Sequence, residues 1–479
     1  MPKRAVHRLL LPTSALALAA TAVACDPSEE EALVREVQGA IDDEALEPLP
    51  APPSVRPELV ELGRSLAFDK ELSGNRNIAC LSCHHPELAS ADGRHLPQGV
   101  GGAGLGPLRE GGAVIPRNAP ALFNLHTFEN MFWDGRVAVD GQGRIVSPAG
   151  QQLTPEMEAV FEFGVVSAQA MFPVTSREEM RGEAGDNELA DLADDDFTGI
   201  WAGIMDRLGG IPAYVELFEA AYPGEPFEQM SFAHAANAIA AFEIVAFDAR
   251  DSPWESFVAG DAGALSQVEL RGARVFFQVG CTDCHSGAAM SDFEFHNIGL
   301  AQFGPGTGHG PGGLDDYGRE GVTGNPDDRY DFRTPPLFNV GLTAPYGHAG
   351  QFEGLRAHLL QYTNPAARRR DYAIEEHVVE SELWPTLLDN ADEVLAELSP
   401  DADIDFGPGG GGPGGPQPPG GPGGPQPPGG PGGVGGPGPD AGDPIDDLLD
   451  FMHALTDPSA GDRREWVPDG VPSGLPVAD

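Results

Sequence analysis

Two Cys-x-x-Cys-His pentapeptides, Cys80-Leu81-Ser82-Cys83-His84 and Cys281-Thr282-Asp283-Cys284-His285, use four of the five cysteines in this 479-residue chain. Each sets two thiols one helical turn apart, with an imidazole directly behind them. Two thioethers to the vinyl groups of a haem, with the histidine as proximal iron ligand, need that arrangement. A redox pair or a zinc half-site is the competing reading of a single motif. A zinc site, however, requires both pairs to converge and leaves each trailing histidine unexplained. The repeated motif therefore points to two covalently attached haems, each of which the chain must enclose.

The fifth cysteine closes a leader. Residues 1–24 begin with Lys3, Arg4 and Arg8 and continue as an apolar run from Leu9 to Ala24, broken only by Pro12, Thr13, Ser14 and Thr21. The run is too short for a membrane span and ends in small residues, as a signal peptide does. Ala22-Val23-Ala24-Cys25 also resembles a bacterial lipobox with Ala22 where Leu is usual, making Cys25 a lipidated mature N-terminus; an ordinary signal peptide with a spare cysteine is the alternative. Either reading exports the chain, as c-type haem attachment requires, and places it in the periplasm. With every cysteine assigned, no disulfide framework remains. The formal charge is −46, and loss of the three leader cations takes it to −49. Such a chain does not bind nucleic acid or anionic headgroups, so contact with a membrane is expected only through the lipid anchor. It would attract a basic partner, although solubility or a saline habitat also selects acidic composition. Lys70 is the sole lysine beyond the leader, which excludes amine catalysis.

The chain is internally duplicated. A helix-like stretch, Val60 to Phe68, precedes the first motif, and Val268 to Phe277, with a capping box formed by Ser266 and Glu269, precedes the second. Pro120-Ala121-Leu122-Phe123-Asn124 is echoed by Pro335-Pro336-Leu337-Phe338-Asn339, and a glycine stands eleven residues after each asparagine. This register makes Trp133 and His348 equivalent. The expected fold is mainly α: two tandem cytochrome-c-like haem domains with long irregular loops. Residues 25–52 read as a tether, 53–248 as the first haem domain, and 249–406 with 440–470 as the second. Between the motifs, Ile211 to Tyr222 and Ser231 to Asp251 read as amphipathic helices, and 182–196 as an acidic loop. Residues 407–439 carry GGPGGPQPP twice, cannot form a packed core, and are expected to be a disordered spacer.

At this point the chain resembles the bacterial dihaem cytochrome c peroxidase and MauG superfamily, from about Leu59 to Pro458 without the Gly/Pro insert. The residues carrying the resemblance are LSGNRNIACLSCHHP at 72–86, RNAPALFN at 117–124, FWDGR at 132–136, AQAMFPVTSREEM at 168–180 and FRTPPLFNVGLTAPYGHAG at 332–350. It implies that hydrogen peroxide reacts at the first haem, with Glu179 as general acid/base and Gln169 positioning the peroxide. On its own, Ser176-Arg177-Glu178-Glu179 would suggest a solvated pair at a helix start. The resemblance makes Trp133 an electron bridge between the haems, where a lone tryptophan would more often be core packing. It assigns Asn118, Thr343 and Pro345 to a calcium ion, the first through its side chain and the others through carbonyl oxygens. His348 is then a supporting residue, not a ligand.

The sixth ligand of the second haem separates subtypes. The peroxidases place a methionine fourteen residues after the histidine matched by His348, and MauG-like members a tyrosine; here the residue is Tyr362. After His285 the methionines are Met290, too close in sequence, and Met452. A phenolate lowers the haem potential and favours the oxidised iron. A core tyrosine in the helix Ala357 to Tyr362 is the plain alternative. Sixteen residues past His84, where activation-dependent relatives carry a capping histidine, stands Val100. The nearest candidate, His95, reads as an exposed loop residue, so the first haem is expected to be open. His85, His296, His309 and His358 read as surface or structural. Three functions compete: a MauG-like oxidation of a protein or organic substrate, a peroxidase drawing electrons from a small cytochrome, and a non-catalytic dihaem carrier.

Overall fold

The computed structural model describes residues 28–406 and 443–477. The leader with Cys25 and the Gly/Pro insert at 407–439 lie outside these residues. The described chain is helical with long irregular loops and two small antiparallel patches. The longer helices are α1 (Glu29–Asp43), α2 (Pro57–Phe68), α3 (Phe197–Gly209), α4 (Pro212–Ala221), α5 (Phe232–Ala246), α6 (Gln267–Gln278), α7 (Leu355–Gln361) and α8 (Pro444–Ala454). Strands β1 (Asn130–Met131), β2 (Val137–Val139) and β3 (Ile145–Val146) form one patch, and β4 (Phe295–His296) pairs with β5 (Phe332–Arg333) in the other. No described helix is long and apolar enough to cross a membrane.

The duplication is physical. α2 packs on α5, and α6 on α8. Each crossing is built on a glycine: a β-carbon on Gly63 would stand 1.8 Å from the Ala238 carbonyl oxygen, and one on Gly272 1.9 Å from that of Asp447. Phe242 and Phe451 flank the two contacts in equivalent positions. The repeated asparagines both adopt left-handed backbone, with φ of 52° at Asn124 and 61° at Asn339. Asn124 exchanges side-chain hydrogen bonds with the backbone of Ala249 (2.8 and 2.9 Å), just past α5. Asn339 accepts from the Asp457 N–H (2.8 Å), just past α8. These ties dock each Pro-x-Leu-Phe-Asn loop on the helix pair of its own repeat.

The α6 capping box forms as the sequence indicates: the Ser266 N–H donates to Glu269 (2.6 Å) and the Glu269 N–H to Ser266 Oγ (3.5 Å). α4 also lies where expected. α5 differs, because it stops at Ala246 and is mostly apolar all round rather than amphipathic, as suits a helix buried on nearly all faces. Two segments also depart from the sequence-based boundaries. Within the stretch read as a tether, α1 buries Leu33, Val37 and Ile41 in the core that holds α6 and α8. The tail beyond α8 crosses to the other core, where Trp466 packs edge-on against Phe242 (5.9 Å) and Ser473 Oγ donates to Asp69 (2.6 Å).

Candidate functional site

Both pentapeptides open tight turns, Cys80–Cys83 helical and Cys281–Asp283 of the 3-10 type. The following histidines are held alike. His84 Nδ1 donates to the Ser90 carbonyl (3.2 Å) and His285 Nδ1 to that of Met290 (3.0 Å). A carbonyl only accepts, so each Nδ1 carries the proton and leaves the Nε2 lone pair for iron. Burial lowers both imidazole pKa values and keeps the rings neutral. Burial also pushes the Cys80 and Cys281 thiols up to about 12. The two cysteine pairs stay apart: among the described residues the one metal-like trio is Cys284, Asp292 and His296, and its cysteine belongs to the second motif. The residues present fit a haem at each motif.

Around His84 lies a cavity that also takes in Gln169, Glu179, Arg136, Trp133 and Glu243. A π-helical turn, Arg177–Arg181, carries Glu179, whose N–H donates to Ser176 Oγ (3.2 Å). This turn distinguishes the acidic pair: both border the cavity, Glu178 at its exposed edge and Glu179 more deeply buried. Burial raises the Glu179 carboxyl above its ordinary range, against the opposing pull of Arg136 and Arg117. Gln169 ends a short helix, Val165–Gln169, whose other members are buried. Asp134 lies 2.6 Å from Arg117 and 3.2 Å from Arg136, and Arg117 also grips Asp316 at 2.7 Å. Glu243, on α5, escaped the sequence reading. It is buried, its Oε2 has no hydrogen-bond partner, and burial alone pushes its pKa up to about 8. The only carboxylate in a mostly apolar helix was the available signal.

Trp133, presented by the turn between β1 and β2, borders this cavity and the one around His285. Its Nε1 donates to the Asn118 carbonyl (2.9 Å), and the Asn118 N–H donates to the His348 carbonyl (2.8 Å). Asn118 also borders both cavities. Its side-chain nitrogen donates to the Arg94 carbonyl (2.9 Å), which leaves Oδ1 as the atom suited to a cation. Thr343 borders the second cavity; Pro345 is not among the residues lining it. His348 is buried, stacks on Phe332 at 3.6 Å, and accepts at Nε2 from Gln302 (3.3 Å) and Gln351 (3.2 Å).

The second cavity is lined by His285, Tyr362, His358, His296 and Met452 among others. Tyr362 caps α7, and burial pushes its phenol well above the ordinary range. An ionised phenolate there needs a strong local cation such as ferric iron. His358, expected at the surface or in a structural role, instead borders this cavity, with Nδ1 buried and unpartnered. Its spacing of four from Tyr362 was the signal. His296 is half-buried and pairs with Asp292 (2.9 Å). His309 borders the first cavity and stacks on Tyr317 (4.9 Å), and His85 accepts from the Glu87 N–H (3.2 Å). His95 corrects the sequence reading. It is fully buried: Nδ1 faces the Gly350 carbonyl, and Nε2 lies 3.1 Å from Glu353. The loop that holds it folds against residues far along the chain, so it is not an exposed loop histidine.

Two helix pairs of one design, each lending side chains to a cavity at a Cys-x-x-Cys-His motif, with a tryptophan bordering both cavities, define a dihaem c-type oxidoreductase. A family model for di-haem cytochrome c peroxidase matches residues 57–263. The chain is 32% identical over 293 residues to the cytochrome c551 peroxidase of Pseudomonas aeruginosa, covering 61% of this chain and 67% of that one. It is 30% identical over 329 residues to the methylamine utilization protein MauG of Methylorubrum extorquens, covering 68% and 75%. Its fold matches the crystal structure of a MauG-like protein associated with microbial copper homeostasis, with TM-score 0.54, 25% identity, and coverage of 86% and 94%. The fold of the diheme peroxidase BthA from Burkholderia thailandensis is also similar, at TM-score 0.52, 19% identity, and coverage of 85% and 88%. The chain belongs to the dihaem cytochrome c peroxidase and MauG family. It is accordingly a peroxidase-type oxidoreductase with two c-type haems, and the carrier reading is set aside.

Proposed function

We propose that the chain reduces hydrogen peroxide at a haem held by Cys80, Cys83 and His84, and that a second haem on Cys281, Cys284 and His285 relays the oxidising equivalents to a protein or organic substrate. The convergence of Glu179 and Gln169 on the His84 cavity carries this reading. The haem iron, when bound, supplies the site at which peroxide is activated. Glu179 moves a proton from the near to the far peroxide oxygen, which leaves as water. The carboxylate accepts the proton of the near oxygen and the acid so formed returns it to the far one, while Gln169 orients the peroxide through its amide. The Arg117–Asp134–Arg136 chain fixes positive charge beside the carboxyl, so that its ionised form is tolerated between turnovers.

Trp133 carries electrons between the cavities it borders. Tyr362 ligates the second iron as phenolate, which lowers that haem's potential and favours storage of an oxidising equivalent over acceptance of an electron from an ordinary carrier; this is the MauG-like behaviour. Asn118 Oδ1, with the carbonyl oxygens of Thr343 and Pro345, would hold a calcium ion. The protein works in the periplasm, anchored by a lipid on Cys25. A second reading, oxidation of a small basic cytochrome, is favoured by one observation, the formal charge of −46.

The test is Glu179→Gln in the holoprotein. Both haem spectra are expected to persist, while peroxide-driven oxidation slows by roughly 10²–10⁴-fold, the scale of a lost acid/base. Unchanged turnover would remove Glu179 from the mechanism. In the same assay, Tyr362→Met should raise the second haem's potential and speed oxidation of a small reduced cytochrome; no change in potential would count against phenolate ligation.

A further inference from the structure

His358 borders the second cavity, and the reading above gives it no task. It stands on α7 one helical turn before Tyr362, and residues four apart on a helix project from the same face. The two rings meet edge to face with centroids 5.7 Å apart. Nothing polar restrains the imidazole: its neighbours are the rings of Tyr346 (6.0 Å) and Phe352 (5.6 Å), and Nδ1 is buried with no hydrogen-bond partner. If the side chain served only to fill space among these rings, an apolar residue would do so without burying an unpaired nitrogen. A nitrogen donor left unsatisfied beside a haem cavity is explained if iron is its occasional partner, since imidazole is a standard haem ligand.

We propose that His358 is a reserve ligand of the second haem iron, placed one turn from Tyr362 so that an imidazole takes the sixth position whenever the phenolate leaves it. The proposal rests on the reading of Tyr362 as the resident ligand. The ring needs to break no hydrogen bond to swing, and the shared helical face lets one haem face meet either side chain. The consequence is a second iron that stays six-coordinate when its ligand changes, which keeps peroxide confined to the first cavity with Glu179 and Gln169.

The test compares the diferric holoprotein with Tyr362→Phe, His358→Leu and the double variant, by low-temperature electron paramagnetic resonance and near-infrared magnetic circular dichroism. Pyridine haemochrome analysis confirms two haems per chain in each. The expected result is that Tyr362→Phe exchanges the His/Tyr low-spin signal for a bis-imidazole one, and that the double variant turns this haem high-spin. Tyr362→Leu repeats the measurement, in case the phenyl ring itself blocks the swing. A second haem that turns high-spin in both Tyr362→Phe and Tyr362→Leu, indistinguishable from the double variant, overturns the proposal while leaving phenolate ligation intact. Should wild type and Tyr362→Phe share one low-spin spectrum, phenolate ligation fails instead, and His358→Leu decides. Loss of the signal then makes His358 the resident ligand, and its retention removes His358 from the iron altogether.

Discussion

Replacing Gly272 by alanine tests the helix crossing on which the second haem unit is built. The new β-carbon would stand 1.9 Å from the Asp447 carbonyl oxygen and 2.7 Å from the Phe451 β-carbon. Neither neighbour lies at the end of a flexible side chain, so neither can rotate away. Restoring an ordinary contact distance requires α6 and α8 to part by roughly 1.5 Å at the crossing, and against rigid backbone this falls in the upper part of the overpacking range, about 2–3 kcal/mol. Against it stands alanine's better helix propensity, about 1 kcal/mol. The net loss of about 1–2 kcal/mol corresponds to a fall of about 2–8 °C in the melting midpoint of a unit of this size. The measurement is thermal unfolding of the ferric holoprotein followed by Soret and far-ultraviolet circular dichroism, read as separate transitions if the two units melt apart. Gly39→Ala in α1 is the control, because nothing lies within 4 Å of its would-be β-carbon; there the same change should stabilise by about 0.4–1 kcal/mol. A Gly272→Ala midpoint equal to or above wild type would refute the close-crossing argument.

Pyridine haemochrome analysis of exported protein should give two covalent haems per chain, and Cys281→Ala should bring this to one; a single haem in the unmutated chain would end the dihaem assignment. Glu243, with its pKa raised by burial to about 8, binds a proton in the folded state that the unfolded chain releases above about 4.5. Its contribution to stability is therefore present below that value and lost as pH rises toward about 8, so Glu243→Gln should flatten the decline of stability across this window. An equally steep decline in the variant would show that Glu243 ionises normally. Trp133→Phe should leave both haem spectra in place and slow transfer between the cavities, measured by rapid mixing with peroxide; an unaltered transfer rate would reduce Trp133 to packing.

What could be read from the sequence was local or repeated. The two pentapeptides, the Ser266–Glu269 cap and the paired asparagines are each defined within a dozen residues, so spacing alone located them. Partnerships across long separations were not legible. His95 sits in a short polar string that looks like an exposed loop, yet its partners Gly350 and Glu353 come from the opposite repeat. Glu178 and Glu179 are chemically identical in the string, and only the π-helical turn leaves one exposed and the other more deeply buried at the cavity. α1 shows the same limit: its apolar stripe, Leu33, Val37 and Ile41, has the helical period, but the docking surface it needs lies on the second repeat. His358 was within reach, because a spacing of four from Tyr362 on a helix already put the two side chains on one face.

The duplicated framework also shows how one fold yields two different haem environments. Superposing the crossings through Gly63 and Gly272 pairs Phe242 with Phe451, and so pairs Glu243 with Met452, the next residue of each helix. Both members of this second pair border their own cavity. One repeat thus puts an ionisable carboxyl where the other puts a thioether, and the same division runs around each cavity. The first takes in Glu179, Gln169, Glu243 and Arg136; the second takes in Leu355, Leu359, Leu448, Phe276 and Met452 beside His285, His358 and Tyr362. Proton transfer to a departing oxygen requires groups that gain and lose charge, and those are expensive to bury without neighbours such as Arg117 and Arg136. Relay or storage of an electron requires the opposite, a dry and weakly polar shell in which the iron's axial ligand sets the potential. Under the proposed reading both repeats kept the turn whose carbonyl fixes a proximal histidine, while the side chains around each cavity diverged toward acid/base chemistry in one repeat and electron relay in the other.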